Sequence, residues 1–254
     1  MKKLLTTLFV AVIATVVNAD FLRVEMGVGG WQQTPSGYVK RSDGDGALSL
    51  NGTYTSAEKD NTEFYVWALF KHPIPMIPNI RAEYVSLDDE GSISASSSVG
   101  GFTLPSQGGY ATLKTKQYDV IPYYNLLDNI FWITVDLGLD IRYITADSKV
   151  INNATNNEVY SGNDSAVIPL VYARGRVQVP GTNFGVEADI KYITDGDSTV
   201  YDVRAKLDYT FDISPVIQAG IEVGYRMQKY DIVDGNDKAN LEYKGVYAGV
   251  MLRF

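Results

Sequence analysis

From residue 20 to the end of the chain, apolar residues recur at every second position, and that period restricts the chain to strands with two unlike faces. Between residues 130 and 143, Phe131, Ile133, Val135, Leu137, Leu139, Ile141 and Tyr143 alternate with Trp132, Thr134, Asp136, Gly138, Asp140 and Arg142. Near the end, Ile217, Ala219, Ile221, Val223, Tyr225 and Met227 alternate with Gln218, Gly220, Glu222, Gly224, Arg226 and Gln228. One face is oily and the other polar or charged. Ten segments of this kind are predicted, at 21–32 (extending toward 40), 62–71, 79–88, 109–124, 130–145, 166–179, 184–194, 199–211, 216–230 and 241–254. Most exceed the roughly 9 to 11 residues with which a tilted strand crosses a bilayer.

The connections alternate in length. Short turns are read at KHPIPMIPN, NLLDN, PGTN and DISP; longer ones at 33–61, 89–108, 146–165 and DIVDGNDKAN, with DGDS as a tight exception on the long side. This asymmetry is that of an outer-membrane barrel. The N-terminus reads as a secretory signal over 1–19, with two lysines, an apolar run from Leu4 to Val17 and small residues before a cut after Ala19. Residues 20–254 are then one all-β domain, a transmembrane antiparallel up-and-down β-barrel of about ten strands. With no cysteine, it must be held by its hydrogen-bonded ladders and not by disulfides. An even strand count returns Phe254 to the same side as Asp20, the periplasm.

A soluble sandwich and a membrane barrel share this periodicity but point the oily face in opposite directions. Aromatic placement favours the barrel: Tyr124, Phe131, Phe184, Phe211 and Phe254 fall near the short turns, and Tyr143, Tyr192, Tyr201 and Tyr225 near the long loops, as two interfacial girdles. Val246, Ala248, Val250, Leu252 and the terminal Phe254 share one face, and Phe254 is the expected signal to the barrel-assembly machinery.

The polar phase predicts the lumen. Its charged residues are Arg23, Arg81, Arg142, Arg174, Arg176, Lys191, Arg204, Lys206 and Arg226 against Glu25, Glu83, Asp136, Asp140, Glu187, Asp189, Asp202, Asp208 and Glu222, equal in number. Ten strands lie close to the width that side chains fill, so these charges are expected to pair into a salt-bridged core. The formal charge of −8 must then sit mostly in the loops, at Asp43, Asp45, Asp88 to Glu90, Asp147, Glu158, Asp164, Asp195, Asp197, Asp231, Asp234 and Asp237, and it disfavours nucleic acid as a partner. Such loops either are merely solvated or attract cations that bridge lipopolysaccharide phosphates.

No catalytic pattern is found. In DGDGALSLNGTY, Asp43, Asp45 and Asn51 suggest a calcium loop, but Ala47 takes a ligand position, Leu48 replaces the turn glycine and Tyr54 the closing glutamate. No phosphate-binding glycine loop or nucleophile elbow is present. The single histidine, His72, lies in a short turn, where a turn-filling role fits better than catalysis. No metal or other cofactor is expected. Pro122 and Pro169 inside predicted strands mark a bulge or local opening.

The segments ADFLRVEMGVGGWQQ, KHPIPMIPNIRAEY, YYNLLDNIFW and VYAGVMLRF resemble an uncharacterised outer-membrane β-barrel family found mainly in epsilonproteobacteria. The resemblance implies the barrel fold over the whole mature chain and leaves the function open. The sequence therefore predicts a structural or surface-interaction barrel with a filled lumen, with a narrow passive channel as the alternative and an enzyme behind both. Its partners would be outer-membrane lipid and lipopolysaccharide; the oligomeric state is left open.

Overall fold

The computed structural model describes residues 22–41, 52–57, 59–74, 76–99 and 101–254. The segment 1–19 expected as a signal, Asp20, and the loop positions Asp43, Asp45, Ala47, Leu48 and Asn51 lie outside the described residues. The chain forms β1 (Arg23–Arg41), β2 (Gly52–Ser56), β3 (Asn61–Lys71), β4 (Asn79–Ile93), β5 (Ser98–Val99), β6 (Phe102–Thr103), β7 (Gly109–Ile130), β8 (Ile133–Asn152), β9 (Glu158–Gln178), β10 (Phe184–Thr194), β11 (Thr199–Ser214), β12 (Ile217–Asp234) and β13 (Asp237–Arg253). Ten of these are long. Each pairs antiparallel with its neighbours, and β1 pairs with β13 from Glu25↔Arg253 to Lys40↔Lys238, which closes the sheet into a ring. The short β2 takes over from β3 at the long-loop end, pairing Tyr38↔Thr55 with β1 and Tyr54↔Ile93 with β4. Closure leaves no sheet edge around the ring itself.

Burial shows which way each phase points. Charged residues of the polar phase are buried, while Val28, Phe70, Leu139, Val171, Leu207, Ile221 and Val250 are exposed on the outside. A ring with an oily outer surface and an ionic interior is the membrane-spanning solution to this pattern, and the reverse of a soluble sandwich. Tyr124, Phe184, Phe211 and Phe254 are exposed toward the short turns, and Tyr143, Tyr192 and Tyr225 toward the other end.

The strands run further than the alternation indicates, and mainly at the long-loop end. Residues expected as a loop at 146–165 instead continue β8 and β9, paired down to Ile151↔Glu158, so that only 153–157 turn. Expected loop residues at 231–240 likewise pair as far as Asp234↔Asp237. Asp, Asn and Ser are poor strand formers, but pairing with an existing edge outweighs that preference. Asp88 to Glu90 are also strand residues, within β4.

At the other end NLLDN is not the turn. Residues 125–129 belong to β7, with register shifts at Asn125/Leu127 and Leu127/Ile130, and the hairpin closes on Phe131 and Trp132. Both have positive φ, 52° and 63°, as in a type I′ turn where Asn-Gly is the favoured pair. Two bulky residues in this region cost about 1–3 kcal/mol each. Phe131 is 81% exposed at the tip, so it is a turn residue and not a member of the outward row of β8.

The two prolines have separate explanations. Across Ile121 and Pro122 the β7–β8 register keeps its phase, from Val120↔Ile141 to Tyr123↔Gly138, so Pro122 interrupts the ladder without a bulge. Pro169 falls where β9 has no second neighbour: the β9–β10 ladder ends at Tyr192↔Val171, and from there outward β9 pairs with β8 alone. Proline is tolerated at such an edge.

The closing seam depends on two glycines. Gly29 and Gly249 are register partners on β1 and β13, and the Tyr65 side chain from β3 passes over both to donate a hydrogen bond to Glu222 Oε1 on β12 at 2.8 Å. A Cβ on Gly249 would lie within 2.4 Å of the Tyr65 hydroxyl, and one on Gly29 within 2.2 Å of the Ala248 carbonyl oxygen. Gly29→Ala and Gly249→Ala are each expected to destabilise the barrel by about 1–3 kcal/mol, as overpacking does. Urea unfolding from lipid vesicles checks this, with Gly175→Ala as control because a Cβ there meets nothing within 4 Å.

Candidate functional site

Whatever passes through a barrel must pass its lumen, so the interior is the candidate site. All the predicted lumen charges lie there, and all but Arg23, at the short-turn mouth, are buried. They form linked clusters in which single residues bridge strands that are not neighbours.

Nearest the short turns, Glu25 is shared by Arg23 and by Arg253, the latter at 3.3 Å, and Lys71 meets Asp128 at 2.6 Å. Deeper, Arg174 joins Asp136 and Glu187, both at 2.6 Å, Arg176 pairs with Asp208 at 2.5 Å and Lys206 with Glu222 at 3.0 Å. Glu187 is within 3.7 Å of Arg81 as well, which itself holds Glu83 at 2.6 Å. Two tryptophans floor these cations, with Lys206 at 4.6 Å and Arg81 at 4.9 Å from the Trp67 ring and Arg226 at 5.2 Å from that of Trp31.

In the next layer Lys191 on β10 reaches Glu83 on β4 at 2.7 Å and Asp119 on β7 at 2.6 Å. Arg142 on β8 reaches Asp119 at 2.8 Å and Asp202 on β11 at 2.6 Å. Asp202 also pairs with Arg226 at 2.7 Å, and Arg204 with Asp189 at 2.7 Å and Glu83 at 3.2 Å. Asp140 stands apart, 3.7 Å from Arg142 and 3.9 Å from Lys191, beyond hydrogen-bond reach. Capping this layer, the Gln117 and Gln228 amides bond each other across the lumen at 3.0 and 3.2 Å, and Arg142 donates to the Tyr230 hydroxyl at 2.9 Å.

Removing so many ions from water is tolerable because, in the two deeper layers, each guanidinium or ammonium meets more than one carboxylate, while Lys71, Arg23 and Arg253 near the short-turn mouth each rely on a single one. An open cavity of ≈ 690 Å³ at the short-turn mouth reaches Arg23, Arg176 and Arg253, but between the deeper layers the packing leaves little space. Two cavities within the ionic layers, one against Glu25, Tyr123 and Arg174 and one against Trp31, Tyr65 and Tyr247, measure ≈ 10 and ≈ 0 Å³. A cavity of about 10–15 Å³ holds one water molecule.

Several contributors escaped the sequence reading. Asp119, Lys71 and Asp128 belong to the network, and Trp31, Tyr65, Trp67, Tyr123, Tyr172, Tyr243 and Tyr247 are buried inside. Their parity within the strands carried the signal for most of them, since Asp119 lies on the same phase as Tyr123, and Trp67 on that of Tyr65. The frequent tyrosines thus divide between the outer girdles and the plug.

His72 accepts from the Ile74 amide through Nδ1 at 3.2 Å, and its Nε2 lies 3.2 Å from the Pro78 carbonyl oxygen, so the ring spans its own turn. At the opposite end the acidic residues are partly paired: Asp88 with Lys114 at 3.1 Å, Glu158 with Lys149 at 3.2 Å, Asp147 with Asn163, and buried Asp89 with Ser56 at 2.9 Å. Asp195 Oδ1 instead accepts the Asp197 and Ser198 amides at 3.1 and 2.7 Å and closes the DGDS turn; these bonds hold its carboxyl below the usual aspartate range. Among the described residues, no three His, Asp or Glu side chains are grouped to hold a metal ion.

Architecture and interior together define a ten-stranded closed β-barrel with an oily exterior and an ionic plug. No family model and no curated protein matches the chain. Among solved structures it is similar to the outer membrane protease OmpT from Escherichia coli, at 11% identity and a TM-score of 0.45 over 93% of this chain and 97% of that one. The translocator domain of the autotransporter NalP from Neisseria meningitidis aligns at 12% identity and 0.41, over 100% and 96%. The toluene transporter TodX of P. putida aligns at 9% and 0.32, over 95% and 92%. At these scores neither activity nor ligand transfers, and the fold rests on the ring of ladders described above.

Proposed function

We propose that this chain is an integral outer-membrane barrel that is closed through its lumen and acts at the cell surface as a structural or interaction protein. The carrying observation is the cross-lumen ionic network with cavities of ≈ 10 Å³ or less between its layers. A hydrated ion needs a continuous water path, and these two cavities hold a single water molecule at most. The exposed apolar belt is the surface that lipid would cover, with lipopolysaccharide around its outer half. Phe254, extended against Val24 with its ring exposed, is the proposed handle for the assembly machinery. No catalytic group and no cofactor enters this reading.

Single-channel recording from the refolded chain in a planar bilayer tests it. The wild type is expected to insert and remain silent. Reproducible unitary steps from folded protein would replace this reading with that of a narrow passive channel for small ions or solutes.

A further inference from the structure

Above the Gln117–Gln228 bridge the inward-facing phase changes character: arginine gives way to mostly apolar side chains toward the long-loop end, with Glu63, Asp89 and Ser148 as buried polar exceptions. Tyr54, Ile93, Leu113 and Ile232 face one another there around an open cup of ≈ 490 Å³. An apolar layer that only sealed the ions from water would be filled with side chains. This one is hollow. The space exists because Ala111, Ala146 and Ala239, on three different strands, occupy inward positions of its wall. Its floor is closed by Tyr230, Leu241 and Tyr243, packed in one core cluster with Leu113 and Ile232.

We infer that this cup is a binding site for a small, uncharged, predominantly apolar molecule presented from the long-loop side. The volume falls in the range of small-molecule pockets, about 300–1,000 Å³, and is too small for a folded partner. Asp164, Asp234 and Asp237 border it on the inward phase, while Lys40, Lys149 and Lys238 lie on the outward phase and Lys149 is paired with Glu158, so the rim disfavours an anion and the apolar wall offers no partner to an ion. Burial of apolar surface, at about 25 cal/mol per Å², supplies the affinity. This goes beyond the closed-barrel reading, and under that reading the ligand is held and not passed on.

The chain contains no cysteine, so a single introduced one reports from one place. The full-length protein in phosphatidylcholine nanodiscs would carry an environment-sensitive fluorophore at Asp234→Cys, on the rim, or at Gln218→Cys, at the opposite mouth, and would be titrated with naphthalene and with benzoate. A saturable response to naphthalene at the rim reporter alone, with at least tenfold weaker response to benzoate, is the expected result. Ala146→Phe, or Ala239→Leu on another strand, should then weaken naphthalene binding at least tenfold. Equal or non-saturating responses at the two reporters would mean partition into lipid and would overturn the site, as would preferred binding of benzoate. Neither outcome bears on whether the barrel conducts, which the bilayer recording reads separately.

Discussion

Replacing Asp119, Asp136, Asp140, Arg142, Arg174 and Lys191 together by alanine is expected to turn a silent barrel into a conducting one. These six lie on the adjacent strands β7, β8, β9 and β10 and occupy two successive ionic layers, so their removal hollows one continuous wall of the lumen. Three are acidic and three basic, and the net charge is unchanged. The charges left behind keep partners: Asp202 retains Arg226 at 2.7 Å, Glu83 retains Arg81 at 2.6 Å, and Glu187 retains Lys206 at 3.5 Å. The variant lacking only Asp119, Asp140, Arg142 and Lys191 should stay silent, because the Arg174 layer still closes the tube. Both are compared with wild type in the same planar bilayer. A folded but silent sixfold variant would show that the buried tryptophans and tyrosines, and not the ions, form the barrier.

A single substitution at Glu83 should have the largest effect on stability. Its carboxylate receives Arg81 at 2.6 Å, Lys191 at 2.7 Å and Arg204 at 3.2 Å, from three different strands, and is buried. Glu83→Ala removes one charge and leaves three buried cations short of an anion, a loss of about 3–5 kcal/mol. Asp88→Ala removes an equally good acid from the same strand, but its partner Lys114 is exposed at the rim. Exposed pairs contribute about 0–1 kcal/mol. Urea unfolding from vesicles should therefore separate the two variants widely; similar midpoints would mean that water enters the Glu83 layer and screens it.

Much of this architecture is legible in the sequence. The period of two in segments such as 130–143 and 216–230 marks strands, and their number and alternating turn lengths imply the ring. The phase of each strand separates Asp136, Asp140 and Arg142 from Leu137, Leu139 and Ile141, which is why the interior charges could be named in advance. Side-chain direction along a strand follows from backbone geometry alone, so no tertiary knowledge is needed for it.

Strand ends were less legible. Asn, Asp and Ser between 146 and 165 have the composition of a loop, yet β8 and β9 pair through most of them because each offers the other an edge. NLLDN has the composition of a turn, yet two bulges carry β7 past it to Phe131 and Trp132. Local preference is worth tenths of a kcal/mol per residue in such segments, and the ladder outweighs it.

The sequence by itself determined the class of fold, the oily exterior and most of the charges enclosed, because all three depend on alternation along one strand. Only the tertiary structure decided which of those charges meet. Lys191 finds Glu83 across the lumen, Tyr65 reaches Glu222 over the glycines of the seam, and alanines on separate strands leave a cup above the plug. These contacts depend on strand register and barrel width, which are set by the closure of the whole ring and not by any one segment within it.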